Sequence, residues 1–223
     1  MLRNRAASKR PGVRGRGRAL LAAGGVVGVG AAVTLAAWTD TEWVYGGTGD
    51  PDTPIGSSVF EVQQNVYDGA GFVDRETQAG AGALDFTIAS GTLSPGAVVY
   101  APMQLRATAG SVGGTVVLTG AVAGTGTDAA LFAVLRYQVR TGVAAASCDA
   151  AGMAGAGADL VAAGSTLATA GTGTFTLPPA PDATTPGTPV DVCFAMTFPA
   201  TSTDPALQGL AAIPVWNFVA TSA

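Results

Sequence analysis

Apolar and polar residues alternate with a period of two along much of the chain, the pattern of strands that bury one face. The alternation is clearest in residues 131–140 and 191–198. It recurs at residues 59–66, 84–88, 99–105, 115–119, 174–177 and 215–220. The pattern therefore predicts about eight strands.

Turn-forming residues separate these stretches, among them Asp68-Gly69, Ser94-Pro95-Gly96 and the proline-rich residues 178–189. Strands divided in this way, without a sustained helical period, indicate an all-β sandwich. Residues 144–170 are rich in Ala and Gly and fit no single pattern. Within them, residues 159–167 are interpreted as a short helix or, equally, as a loop.

Charge divides the chain into two parts. Seven of the eleven basic residues lie within residues 1–18, and the first acidic residue is Asp40. Between them, residues 19–37 are uncharged and mostly Ala, Gly, Val and Leu. A basic start followed by an apolar stretch and small residues is typical of an export signal. We expect residues 1–37 to be a signal peptide with a helical core, cleaved between Ala37 and Trp38.

Cleavage after Ala36 is the near alternative, and a permanent anchor is the competing interpretation, because nineteen residues are just enough to span a bilayer. After removal of the signal, residues 38–57 are expected to form a flexible segment and residues 58–223 one sandwich domain. Membrane contact is expected only through an uncleaved signal segment. The predicted location is the cell surface or the extracellular medium.

The composition excludes several kinds of chemistry. The chain has no histidine, so it has no Ser-His-Asp system and no zinc helix of the HExxH type. After residue 18 the chain has four arginines and all fifteen of its carboxylates, and this net negative charge repels nucleic acid. Glu61, Asp85 and Asp191 are isolated acids on predicted strands, where a solvated role is the rule. We predict no catalytic residue, no metal site and no cofactor.

The chain has two cysteines, Cys148 and Cys193. Two thiols that reach an oxidising medium tend to pair, so a disulfide is expected, with two free thiols as the alternative. Because Cys193 alternates with Val192 and Phe194, we expect it on the opposite face of its strand, where it meets Cys148 from a loop.

The end of the apolar stretch, Thr34-Leu35-Ala36-Ala37-Trp38-Thr39-Asp40, resembles the signal-peptide boundary of the TasA and camelysin family, which is exported through a SipW-type signal peptidase. In that family an aromatic residue followed closely by Asp lies just past the cleavage point. Two later stretches resemble the family in matching order: residues 93–102 and residues 215–221. The composition, rich in Ala, Gly and Arg, is similar to the actinobacterial branch.

The resemblance implies a jelly-roll protomer that self-associates into an extracellular matrix or biofilm fibre by lending an N-terminal strand to its neighbour. Residues 38–45 contain β-forming aromatic and branched residues, and Trp38, Trp43 and Tyr45 are the expected anchors of such a strand. A disordered tail is the competing interpretation of this segment. A secreted module that binds a glycan or a surface protein is the alternative function. Camelysin is classed as a metallopeptidase, but a chain without histidine departs from such a site.

Overall fold

The computed structural model describes residues 41–44, 46, 55–86 and 93–223. The chain divides into two compact units, Met1–Ile55 and Gly56–Ala223. The described residues of the first unit belong to no helix or strand. The predicted signal peptide lies outside the described residues and stays a prediction. No helix in the described ranges is long and apolar enough to cross a bilayer.

The second unit is built from short antiparallel strands, which confirms the all-β class. In the described residues there are ten strands: β1 Val62–Asn65, β2 Val98–Ala107, β3 Gly114–Leu118, β4 Val122–Ala123, β5 Arg136–Thr141, β6 Ala158–Thr166, β7 Thr174–Leu177, β8 Val190–Thr197, β9 Pro214–Val215 and β10 Phe218–Ser222. The helical elements are two short helices, α1 Ala129–Val134 and α2 Ala150–Ala154, and the 3-10 turns Gln78–Gly80, Ala145–Ser147 and Pro205–Leu207.

The strands form two main sheets and one small pair. The large sheet has the strand order β1-β2-β8-β5-β6, the small sheet has the order β10-β3-β7, and β4 pairs with β9. The centre of the large sheet is β8, which pairs with β2 on one side and with β5 on the other. Residues far apart in sequence therefore become neighbours in this sheet.

The hydrophobic core lies between the large and the small sheet. Alternate residues of β2 and β8 face it, as the sequence pattern predicts, and side chains of β3 and β7 pack from the other side. Burying these side chains stabilises the fold by roughly 25 cal/mol per Å² of apolar surface removed from water. The buried core residues of these four strands are Val99, Met103, Leu105, Val116, Leu118, Phe175, Leu177, Val192, Phe194 and Met196.

The strand predicted at residues 131–140 is wrong in its first part. Helix α1 occupies Ala129–Val134, and β5 begins only at Arg136. The helix consists largely of Ala and Leu, which are strong helix formers, and its Leu131 and Val134 still pack against the core. A short apolar stretch has the same hydrophobic pattern in either conformation.

Both interpretations of residues 159–167, helix and loop, are wrong, because β6 covers Ala158–Thr166. Leu160 and Val161 of this strand are buried, and the strand pairs with β5 through an irregular register. Ala and Gly have low strand propensity. Pairing with β5 therefore determines this conformation, and local preference does not.

Three further predicted strands are shorter than expected or absent. Only Val62–Asn65 of residues 59–66 is a strand, and residues 215–220 are divided into β9 and β10 by Trp216 and Asn217. The described part of residues 84–88 is not a strand, although Leu84 and Phe86 pack against the core. The alternation therefore predicted which side chains face the core, and it predicted less reliably which residues pair as strands.

Candidate functional site

The N-terminal residues expected to carry function are only partly described. Ala37, Trp38 and Tyr45 lie outside the described residues, so the cleavage site and most of the assembly strand stay predictions. Trp43 is described and belongs to no strand. Its side chain is 90% exposed and that of Val44 is 93% exposed. Burying these side chains in a complex would remove apolar surface from water.

The disulfide between Cys148 and Cys193 is present, with the two Cα atoms 5.5 Å apart. Cys193 is fully buried and lies on the face of β8 opposite Val192 and Phe194, as predicted. There it belongs to a second, smaller apolar cluster with Val143, Met153 and Ala195. We call residues 143–157, which carry Cys148 and cover this outer face of β8, the cover.

Arg140 of β5 fixes the far end of the cover. Its Nη1 atom donates to the carbonyl oxygens of Met153 and Gly155, and its Nη2 atom donates to Gly157 O at 2.6 Å. Its Nε atom lies 3.0 Å from Asp159 Oδ1, an ion pair that does not reach hydrogen-bond geometry. The disulfide and this guanidinium therefore hold the cover at two points.

Sheet edges are the places where another strand can add, and the two main sheets have four of them, formed by β1, β6, β7 and β10. Val73 bridges the outer side of β1 through two backbone hydrogen bonds with Gln64, of 3.0 and 2.8 Å. Leu160 O of β6 accepts from Thr172 N and Gly173 N, at 3.0 and 3.3 Å. The edges of β1 and β6 are therefore partly occupied, whereas β7 has β3 as its only strand partner in the described residues.

The outer edge of β10 is open in the part of the chain that the structure describes. Within the described residues its only strand partner is β3, so its other side presents unpaired backbone. Beside it lies a cleft of about 1050 Å³ that extends to β1. Phe218 and Ala220 of β10, Val62 of β1 and Met103 of β2 give the cleft an apolar lining. An open strand edge next to an apolar cleft is the geometry that strand addition uses.

Trp216 lies in this cleft, immediately before β10. Its indole ring packs near the rings of Phe194 and Tyr137, with centroid distances of 5.0 and 5.8 Å. The Nε1 atom is buried, and no described residue accepts its hydrogen bond. Buried polar groups almost always have a partner, so this N–H is an exception among the described residues. The sequence predicted Trp216 in a strand and gave no signal of this buried donor.

The hydroxyl group of Tyr137 bonds to a backbone carbonyl and does not accept the indole N–H. Its hydroxyl donates to the carbonyl oxygen of Thr169, and burial raises the pKa of this phenol. The nearby indole of Trp216 opposes that pKa shift, yet Trp216 Nε1 makes no hydrogen bond of good geometry to the hydroxyl. The two aromatic side chains therefore share a contact and leave the indole donor free.

The rim of the cleft is acidic. Glu61, Asp74 and Glu76 line it beside a single cation, Arg75. Arg75 is already paired with Asp68, with Nη2 2.8 Å from Oδ2. The rim would therefore repel a negatively charged partner, and a higher salt concentration would weaken this repulsion.

Three carboxylates, Glu61, Asp182 and Asp191, accept hydrogen bonds from neighbouring residues. Gln104 donates to Asp191 at 2.8 Å, and Thr108 donates to Glu61 at 3.5 Å. The backbone N–H and the hydroxyl of Thr184, together with the N–H of Thr185, lower the pKa of Asp182 to about 2. No three His, Cys, Asp or Glu residues in the described part of the chain are grouped closely enough to hold a metal ion.

Comparison of the sequence with protein-family models and with curated proteins found no match.

Proposed function

We propose that this protein is an exported structural subunit that assembles with copies of itself by strand addition at β10. The observation that carries the proposal is the outer edge of β10, which has no strand partner in the described residues and lies beside an apolar cleft. The edges of β1 and β6 are partly occupied, and β7 does not line the cleft. The sequence resemblance to the TasA and camelysin family, including its jelly-roll topology, adds to this proposal.

The donor strand in this proposal is residues 38–45 of a neighbouring molecule. Strand alternation places Trp43 and Tyr45 on one face, and this face would enter the apolar cleft. The other face would point to solvent, and the backbone of the donor would pair with β10. A carbonyl oxygen of the donor would accept from the indole N–H of Trp216, which has no partner in the described residues.

Export is the first step of the proposed pathway. A signal peptidase would cleave between Ala37 and Trp38 and so create the free N-terminus that the donor strand needs. The disulfide is compatible with an extracellular location. Assembly before export is disfavoured in this scheme, because the donor strand is then still joined to the signal segment.

Charge makes the proposed assembly dependent on salt. The donor carries Asp40 and Glu42, and the rim of the cleft carries Glu61, Asp74 and Glu76. Like charges repel over a distance that shortens as ionic strength rises. Assembly is therefore expected to be slow at low salt and faster at high salt.

The test compares the chain of residues 38–223 with the chain of residues 46–223 by light scattering and negative-stain electron microscopy, at low and high salt. The longer chain should form oligomers or filaments, and the shorter one should stay a folded monomer. A matched control keeps the full length but carries Trp43→Ser and Tyr45→Ser, and it should assemble poorly. A longer chain that stays monodisperse at every concentration and salt level would refute the proposal.

A further inference from the structure

The outer face of the large sheet carries a row of planar polar side chains at its β1 end. Asn65, Gln104 and Asp191 are in register across β1, β2 and β8. Asn65 Nδ2 donates to Gln104 Oε1 at 3.5 Å, and Gln104 Nε2 donates to Asp191 Oδ1 at 2.8 Å. Each group is thereby held in place by the next, so the row is arranged before any ligand arrives.

The side chains of the row have hydrogen-bond donors and acceptors that no described residue uses. A carboxylate accepts through two oxygens, and within the described residues only Oδ1 of Asp191 is occupied. Asn65, Gln104 and Asp191 are all half-buried. Their remaining donors and acceptors are therefore accessible from solvent while their positions are fixed.

Tyr67 lies beside this row in an unusual backbone conformation. Its φ of 60° is in the left-handed region, and in the described residues it is the only residue other than glycine with a positive φ. The Asn65 side chain accepts the Tyr67 backbone N–H at 2.9 Å and so supports this conformation. Backbone strain at a bulky residue is retained where the surroundings impose it, often at binding sites.

The Tyr67 side chain is available to a ligand. It is 45% exposed. Partial burial raises the pKa of its phenol, and the negative charge of Asp191 raises it further. The hydrogen bond from the Tyr67 N–H to Asn65 ties this residue to the row, and its phenol stays neutral at physiological pH.

A second polar pair extends the same surface. Arg106 Nη2 donates to Gln63 Oε1 at 3.0 Å, and this pair lies two residues along β1 and β2 from the pair of Asn65 and Gln104. The Arg106 guanidinium carbon lies 3.9 Å from the centre of the Phe72 ring, which fixes the orientation of the arginine. The surface thus presents amide, carboxylate and guanidinium groups in one layer, with an aromatic ring at its margin.

We propose that this surface, formed by Gln63, Asn65, Tyr67, Gln104, Arg106 and Asp191, binds a neutral saccharide chain. Amides and carboxylates in a fixed layer match the paired hydroxyl groups of a sugar, because each hydroxyl both donates and accepts. The exposed Tyr67 ring offers an apolar face to the C–H side of a sugar ring. The acidic balance of the domain disfavours an anionic ligand.

The proposed surface and the assembly cleft share only Gln63, which lies at the margin of both. Val62, Met103 and Leu105 line the cleft, and the residues of the proposed surface alternate with them along β1 and β2. Saccharide binding and assembly therefore do not depend on each other. A result that refutes one proposal does not refute the other.

The test is calorimetric titration of the chain of residues 38–223 with three neutral hexasaccharides: cellohexaose, chitohexaose and mannohexaose. Binding in the millimolar range to at least one of them is expected. Tyr67→Gly should preserve the fold, since glycine accepts a positive φ, and should weaken binding about tenfold. Asp191→Asn keeps the shape of the row and should have a similar effect.

Asp85→Asn is the matched control, because Asp85 is an exposed carboxylate outside both the surface and the lining of the cleft. It should leave binding unchanged. Circular dichroism of each variant confirms that the fold is retained. Failure of all three hexasaccharides to bind would overturn the proposal. So would binding that Tyr67→Gly and Asp191→Asn both leave within about threefold of the original.

Discussion

Cys148 and Cys193 are the two residues whose pairing ties the cover to β8, at a sequence separation of 45. The sequence predicted this pairing, with two free thiols as the alternative, because two cysteines allow one intramolecular bridge. The contacts of Arg140 do not follow from it. They depend on carbonyl oxygens of residues 153–157, whose position is set by the bridge and by the pairing of β5 with β6.

The disulfide should contribute about 4 kcal/mol to the free energy of unfolding in the chain-entropy description. Cys148→Ala and Cys193→Ala should therefore destabilise the protein by similar amounts, and the double variant should be little worse than either. Urea denaturation with and without reductant measures this. If the two single losses add in the double variant, each cysteine stabilises through its own packing and the bridge contributes little.

At the scale of elements, the sequence predicted the strands that lie inside the large sheet and missed those whose conformation depends on a neighbour. β2 and β8 have strand neighbours on both sides. The alternation survives in the burial of β2, whereas β8 is buried on both faces because the disulfide-linked cover lies on its outer face. β6 is an edge strand of small residues that depends on β5, and α1 is an apolar stretch too short to identify. The edge of β10 could not be predicted, because it depends on which strands pair with β10, and in the described residues only β3 does.

Gly120 lies at a point where the two main sheets approach each other closely. A Cβ atom at Gly120, between β3 and β4, would lie 2.1 Å from Ala168 O, which follows β6. Gly120→Ala should therefore force backbone apart and destabilise the domain by about 1–3 kcal/mol. Thermal or urea denaturation measures the change. Gly56→Ala, where nothing lies within 4 Å, is the matched control. Equal stability of the two variants would contradict this close approach.

At the scale of the whole molecule, the domain has an apolar core and, in the residues that the structure describes, one side without a partner. The core between the sheets and the disulfide stabilise the single molecule. The outer edge of β10 and the cleft beside it, with the indole of Trp216, remain for a partner. A strand that filled this side would complete both the backbone pairing and the apolar packing, which is why we place self-assembly there.

The most direct test of this account is an amide NMR titration of the chain of residues 46–223 with a synthetic peptide of residues 38–45. The account predicts that the peptide slows hydrogen exchange at Phe218–Ser222 and shifts the indole N–H signal of Trp216. A control peptide with Trp43→Ser and Tyr45→Ser should have little effect on either. An unchanged β10 and Trp216 at saturating peptide, or protection confined to another edge such as β6, would contradict the account.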